Sequence, residues 1–260
     1  MSEYEFIEFA TADHVATITL NRPRKGNGLS IALLKEFNSA LTQCESEESI
    51  RVVVLKGNGK NFCVGADLTD VQATEKPTDE HILEDHAPNL HCIRNSKKIY
   101  ICAMQGAAAG IGSAYALVCD MTVMADNAYI YQAFLPIGMV PDGGATWLLG
   151  RHLGYKRAFK MIIEGTKLGA DQCLEWGLAS DVVPANELDE YTRQLASNLA
   201  GKAPLAMAAA KQLLNGVFDA SYGDTVIAEA RQQRMMHESA DCKEGVSAFL
   251  EKRTPVFRGE

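Results

Sequence analysis

Apolar and polar residues alternate from Phe6 to Phe9 and again from Val15 to Leu20, and the two runs read as paired strands turning at Asp13-His14. A basic loop follows, Asn21-Arg22-Pro23-Arg24-Lys25-Gly26-Asn27, and Ser30 then caps a helix with Leu33, Leu34, Phe37 and Leu41 on one face. Val52 to Leu55 is a short apolar strand closed by Gly57-Asn58-Gly59, and Phe62 to Val64 is another, ending at Gly65-Ala66-Asp67. Thr69 to Asp85 turns polar around Lys76-Pro77-Thr78-Asp79-Glu80 and is expected to be a mobile loop, with a helix after it to about Asn95. A buried strand (Ile99 to Met104), a glycine turn, a buried helix (Gly112 to Cys119) and a strand (Met121 to Ala125) come next. Strands alternating with helices predict an α/β domain with a covered sheet. Beyond Gly143 the spacing is helical almost throughout: residues 149–164, 169–176, 185–200, 203–218 and 224–240, with Pro204 where a first helical turn tolerates it. The tail from Phe249 to Arg258 is basic and aromatic. An α/β core to about residue 200 is therefore expected, followed by a helical appendage whose apolar faces need a partner.

At 260 residues the chain can bury one or two cores, and its 22% charged and 47% hydrophobic residues are those of a soluble globule. The net charge of -8, with no dense Lys/Arg stripe, argues against nucleic acid as a partner but leaves room for a local phosphate-binding cluster. Seven cysteines, none in Cys-x-x-Cys and none grouped with histidine at zinc spacing, suggest buried thiols in a reducing compartment and no metal. Met1-Ser2-Glu3-Tyr4-Glu5 lacks the order of a signal peptide, so a cytoplasmic location is expected. Ile99 to Cys119 is uncharged and long enough to span a bilayer. Gln105, Ser113 and three glycines interrupt it, however, and a buried strand, turn and helix fit better than a membrane span.

Candidate chemistry centres on Asp142, the one carboxylate between Asp126 and Glu164, set in Ile137-Gly138-Met139-Val140-Pro141-Asp142-Gly143. An acid among apolar residues resists ionisation, which moves its pKa toward the range useful for proton transfer. Pro-Asp-Gly is also turn chemistry, and Asp142 could simply cap a helix starting near Gly143. Two glycine turns add anion-binding potential. Phe62 to Leu68 offers the peptide N–H of Ala66, and Gly106 to Ala114 leads into a helix whose first N–H groups lack partners. Two such donors converging on one oxygen form an oxyanion hole, worth about 3 kcal/mol per donor. Close packing of a helix on a sheet also calls for glycine.

In this order the landmarks resemble the crotonase (enoyl-CoA hydratase/isomerase) superfamily: Asn21-Arg22-Pro23 with Asn27, Phe62 to Leu68, the turn from Gly106, Cys119-Asp120, Pro141-Asp142-Gly143, and the tail near Arg253. The resemblance implies a crotonase-like spiral of ββα turns over residues 1–200 that binds acyl-CoA. It also implies a C-terminal helical trimerisation region over 201–260, and homotrimers or dimers of trimers. Coenzyme A would arrive as part of the thioester substrate, so no separate cofactor is expected. The thioester carbonyl would lie between the N–H groups of Ala66 and Ile111, with Val64, Gly65, Leu68, Gly110 and Phe134 along the bound substrate. Arg24, Lys25, Lys252, Arg253 and Arg258 are candidates for the CoA phosphates, and Asp67 supports the turn or the nucleotide region. Asp120 and Asp126 are expected to be caps, Cys63 a core residue, and none of the histidines receives a role.

Two departures narrow the reading. Where typical hydratases of the superfamily carry catalytic glutamates, this chain has Ala114 and Phe134. An acid after Pro141 is where Δ3,Δ2-enoyl-CoA isomerases carry a glutamate and the bacterial ring-epoxide isomerases of phenylacetyl-CoA breakdown an aspartate; bulky Ile111 is similar to both. Moving a double bond along an acyl thioester needs one proton removed at C2 and one delivered at C4, which one carboxylate can do in a dry pocket. Residual hydratase activity with one acid, or a non-catalytic acyl-CoA-binding homologue, are the alternatives.

Overall fold

The computed structural model describes residues 4–73 and 76–260. Strands β1 (Ile7–Ala12) and β2 (Val15–Leu20) pair antiparallel about Asp13 and His14, which turn the chain with φ of 47° and 67°. Strands β3 (Val52–Gly57), β4 (Ile99–Met104), β6 (Met121–Ala125) and β9 (Asp181–Val183) extend the sheet in parallel, in the order β1-β2-β3-β4-β6-β9. Every residue of β4 is buried, as expected of a parallel strand covered on both faces. A second small sheet joins β5 (Ala107–Ala109), β7 (Tyr129–Tyr131) and β8 (Leu168–Gly169).

Helix α1 (Ile31–Ser46) starts where expected, because the Ser30 hydroxyl accepts the Leu33 N–H, and it buries Leu33, Leu34, Phe37 and Leu41. Helix α5 (Ile111–Leu117) is buried along its whole length, and α8 (Leu188–Ala200) packs against β3, β4 and β6. Among the described residues no helix is long and apolar enough to cross a membrane. This mixed α/β body ends in a helical C-terminal region of α9 (Pro204–Gly216), α10 (Tyr222–Glu238) and α11 (Ala240–Glu251). Buried Lys211 of α9 donates to the carbonyls of Ile93 and Lys98 and to Asp120, fastening α9 to the sheet.

Several expectations need correction. The segment expected to be a mobile loop holds α2 (Leu68–Ala73) and α3 (Thr78–His81), and a π-helical turn (Ile82–His86) leads on into α4 (Ala87–Asn95). Polar composition misled there, because His81, His86 and Asn89 are buried. Thr74 and Glu75 of that segment, like Met1-Ser2-Glu3, lie outside the described residues. The expected strand at Phe62–Val64 is a single bridge, Cys63 to Ala108, since the Val64 N–H turns away to the Gly26 carbonyl. Helix α6 (Ala145–Glu164) begins earlier than its spacing suggested and breaks at Gly154 (φ 70°, ψ 162°). Among the described residues Asp120 and Asp126 cap no helix. Asp120 accepts the Tyr100 N–H and pairs with Lys211, and Asp126 accepts the Ala185 N–H.

Candidate active site

The Asn21–Asn27 loop proves to be a clamp for the first glycine turn. The side-chain amide of Asn27 lies 2.8 to 3.1 Å from the carbonyls of Asn58, Asn61 and Phe62, and its oxygen accepts the Arg22 N–H. Arg22 in turn donates to Gly28 and, at 2.8 Å, to Asp67. Hydrogen bonds from Thr69 and from Arg22 hold the Asp67 carboxyl down at about 2. Asp67 therefore ties Arg22 to the start of α2, next to the Gly65–Ala66 turn.

That clamp presses the two glycine turns together. A Cβ on Gly65 (φ 106°) would sit 3.0 Å from the Ala109 carbonyl oxygen and 3.6 Å from the Gly110 Cα, so only glycine permits this approach. Leu29 bonds the same turn from the other side, donating to Gly65 and accepting from Asp67, which leaves the Ala66 N–H out of the ladder. Ile111 opens α5, where its N–H cannot bond within the helix. Among the described residues neither N–H donates to another main-chain group. Ser113 secures the helix start by donating to the Gly110 carbonyl at 2.6 Å, and Gln132 donates to Ser113 at 2.9 Å. Sequence reasoning missed the Gln132–Ser113 pair, which lies between elements far apart in the chain.

Asp142 approaches from the loop before α6. A Cβ on Gly143 (φ 58°) would meet the Ile111 side chain at 2.9 Å and the Ala114 Cβ at 3.0 Å. The carboxylate thus belongs to a segment lying directly on the start of α5. It does not cap α6, whose N-cap is Gly144 in the left-handed region. Asp142 Oδ1 is buried with no hydrogen-bond partner among the described residues. Burial pushes its carboxyl up to about 6, against smaller opposing pulls from its own main-chain N–H and from His81. Phe134 is buried with its ring against Gly110, and Ala114, fully buried, lies under Gly143, so apolar side chains line the start of α5 there. Ile137, Met139 and Val140, which precede Asp142 in the chain, are exposed.

Gly65, Gly110 and Phe134 thus meet, with Ala66 following Gly65, Ile111 following Gly110, and the Asp142–Gly143 segment resting on Ile111. Val64 packs on Gly26, beside Arg24 and Lys25 on their exposed turn, and exposed Leu68 opens α2. Lys252 and Arg253 stand apart: Arg253 is paired with Glu244 and Glu251, and no contact among the described residues joins either to the Asn21–Asn27 loop. Cys63 is buried, and burial pushes its thiol up to about 12, so it remains a core residue and no nucleophile. Among the described residues no cluster of three or more His, Cys, Asp or Glu is placed to hold a metal.

A polar cluster beside this site escaped the sequence reading. His81 Nδ1 lies 2.5 Å from Asp85, and the His81 ring stands edge-on to His86 with centroids 5.0 Å apart. His86 Nδ1 meets the Tyr115 hydroxyl at 3.2 Å, and Tyr115 follows Ala114 on α5. Burial lowers His86 to about 4, so it is a neutral packing group. The spacing of His81, Asp85 and His86 on consecutive helical turns was the available signal.

A family model described as enoyl-CoA hydratase/isomerase matches residues 10–260. The chain is 36% identical over 256 residues to a probable enoyl-CoA hydratase of Rhodobacter capsulatus, covering 98% of this chain and 99% of that protein. It is also 36% identical over 260 residues to the 1,2-epoxyphenylacetyl-CoA isomerase of Escherichia coli, with 98% and 99% covered. The crystal structure of an enoyl-CoA hydratase from Bacillus anthracis superposes with a TM-score of 0.94 at 32% identity, covering 98% of this chain and all of that one.

Proposed function

The chain belongs to the enoyl-CoA hydratase/isomerase family, and from that premise we propose that it is an acyl-CoA isomerase working with one carboxylate. Asp142 takes a proton from C2 of a 3-enoyl-CoA, or of a related ring or epoxide thioester, and returns a proton farther along the chain. The enolate oxygen that develops is held by the N–H groups of Ala66 and Ile111. The observation carrying this reading is the lone buried carboxylate, Asp142, on a segment seated against Ile111 and Ala114 at the start of α5. Hydration needs two acids to hold and split a water, and alanine and phenylalanine supply neither.

The phosphates of the CoA moiety would be met by Arg24 and Lys25, which sit next to the Val64–Leu68 strip. Assembly into trimers or paired trimers through residues 201–260 is supported by apolar side chains left in solvent on the last helices, among them Tyr222 at 87% and Phe249 at 82% exposure. No metal or further cofactor enters the scheme.

The test is turnover of 3-enoyl-CoA by purified protein, followed by the absorbance of the conjugated 2-enoyl thioester. Conjugation that disappears in Asp142→Asn supports the proposal. Formation of 3-hydroxyacyl-CoA faster than conjugation would instead favour the hydratase named among the relatives. Full activity in Asp142→Asn would remove the mechanism.

A further inference from the structure

The peptide that joins Gly110 to Ile111 can face two ways, and only one of them offers its N–H to a bound thioester. Gly110 has φ 50° and ψ −136°, a conformation open to glycine and strained for other residues. Glycine permits that orientation without holding it, since the same freedom lets the peptide plane turn over. The hold comes from the carbonyl end. The Gly110 carbonyl accepts the Ser113 N–H at 3.0 Å and the Ser113 hydroxyl at 2.6 Å. A trans peptide sets its C=O and N–H on opposite sides, so a carbonyl fixed on Ser113 turns the Ile111 N–H outward from the end of α5.

Ser113 is itself held. Gln132 Nε2 donates to the Ser113 oxygen at 2.9 Å, and because that oxygen's own proton is committed to Gly110, the amide must present its NH2 end. The donations therefore run one way: Gln132 to Ser113, Ser113 to the Gly110 carbonyl, and through the peptide to the Ile111 N–H. Each donation polarises the next donor, and a carbonyl that accepts two hydrogen bonds leaves a more positive N–H at the other end of its peptide. Ser113 and Gln132 are both 0% exposed, so water does not screen this polarisation. Gln132 is equally fixed by the main chain: Tyr131 pairs with Ala109, and its carbonyl accepts the Gly110 N–H at 3.0 Å.

Gln132 is a poor choice for packing alone. Its Oε1 is buried with no partner among the described residues. An open buried acceptor costs stability, and an apolar side chain of similar shape would carry no such cost. A half-satisfied amide in the interior is explained if its NH2 group does what an apolar group could not.

We propose that Ser113 and Gln132 are positioning residues for the oxyanion hole, locking and polarising the Gly110–Ile111 peptide so that the Ile111 N–H meets the thioester oxygen as negative charge develops on it. They act through the peptide, and no proton is transferred along the chain of bonds. This rests on the oxyanion role given to Ile111 in the isomerase reading, and the proton shuttle of Asp142 is unchanged by it.

The test uses the full-length protein, Ser113→Ala, Gln132→Met and the double variant. Turnover is read on 3-enoyl-CoA, and difference infrared spectroscopy on a saturated acyl-CoA isotope-labelled at the thioester carbonyl. Bound to the parent, the labelled carbonyl should absorb at lower frequency than in solution, and in each single variant the band should move part of the way back. Loss of an oxyanion donor outright costs about 100- to 1000-fold in kcat; Ser113→Ala keeps the N–H and should cost about 10- to 100-fold, with KM little changed. Gln132→Met, one bond farther from the peptide, should cost less, about 3- to 10-fold. The double variant should be about as slow as Ser113→Ala alone, because Gln132 acts through Ser113. A band that stays in place in Ser113→Ala, or a double variant whose loss is the product of the two single losses, overturns the proposal, since packing defects would give those results. Where Ser113→Ala fails to fold, the band of Gln132→Met decides in the same way. A parent whose bound carbonyl keeps its solution frequency removes the oxyanion role of Ile111 and this proposal with it. A parent that lowers the band without turning over 3-enoyl-CoA removes the isomerase reading, and movement of the band in the variants still upholds the positioning by Ser113 and Gln132.

Discussion

Asp142→Asn should make the protein more stable while making it inactive, and the size of the gain follows from the site. Burial moves the Asp142 carboxyl from the ordinary 3.8 to about 6. In the folded chain the proton is therefore held more tightly than in the unfolded chain. Between pH 4 and pH 6 the native state binds more protons than the unfolded state, so this residue's contribution to stability falls as pH rises across that window. Above both values the penalty is constant. At 1.36 kcal/mol per tenfold step in acidity, the difference between 3.8 and about 6 corresponds to an upper bound of about 3 kcal/mol. The carboxyl is partly reached by solvent, which screens the penalty and brings the expected gain to about 1–2 kcal/mol.

Asparagine has the same shape and no charge, so urea denaturation at pH 7.5 should show Asp142→Asn more stable by that amount. At pH 4 the two proteins should be nearly equal. The parent's kcat/KM on 3-enoyl-CoA should rise with pH through about 6, as the base form of Asp142 accumulates, and the variant should show no such rise. A variant no more stable than the parent at pH 7.5, or a stability difference independent of pH, would refute the argument that a desolvated carboxylate sits there.

Gly143→Ala adds a Cβ at 2.9 Å from Ile111 and 3.0 Å from Ala114, at a φ of 58°. It should cost about 2–4 kcal/mol in urea denaturation and move Asp142 off the substrate; a neutral effect would mean the loop is not seated on α5. Gly65→Ala pushes on the Ala109 carbonyl, 3.0 Å from the new Cβ, and so displaces the Ala66 N–H. A kcat loss of about 100-fold with little change in KM is expected, and a rise in KM alone would argue against an oxyanion role. Lys211→Met strips the ammonium from Asp120, whose carboxyl burial already pushes up, and should cost about 3–5 kcal/mol in thermal or urea denaturation. Adding Asp120→Asn should recover part of that loss; no recovery would show that Lys211 acts through its two carbonyl contacts instead.

Some of this site was legible in the sequence and some could not be. The uncharged run from Ile99 to Cys119 announced β4 and α5, because a strand and helix covered on all sides have nowhere to place a charge. Asp142 stood out for the same reason in reverse, as one acid in a long apolar stretch. Strands β5, β7, β8 and β9 are two or three residues long, too short for any period to register, and they exist only because longer elements hold them in register.

The harder failure lies between Thr69 and Asp85. Composition treats a histidine, an aspartate or a lysine as a group that wants water, and a run of them reads as a solvated loop. What keeps His81 and His86 dry is a set of partners supplied by the fold: Asp85 one turn away, and Tyr115 on a helix 29 residues downstream of His86. A buried polar side chain looks like an exposed one until its partners are known, and those partners are not neighbours in the chain. Asp85, His86 and Asn89 have their hydrogen bonds within the protein. Four buried side-chain atoms among the described residues do not: His81 Nε2, Gln132 Oε1, Asp142 Oδ1 and Thr192 Oγ1. Of these, Asp142 Oδ1 is the carboxylate oxygen on the segment seated against the start of α5, where a substrate would complete its bonding.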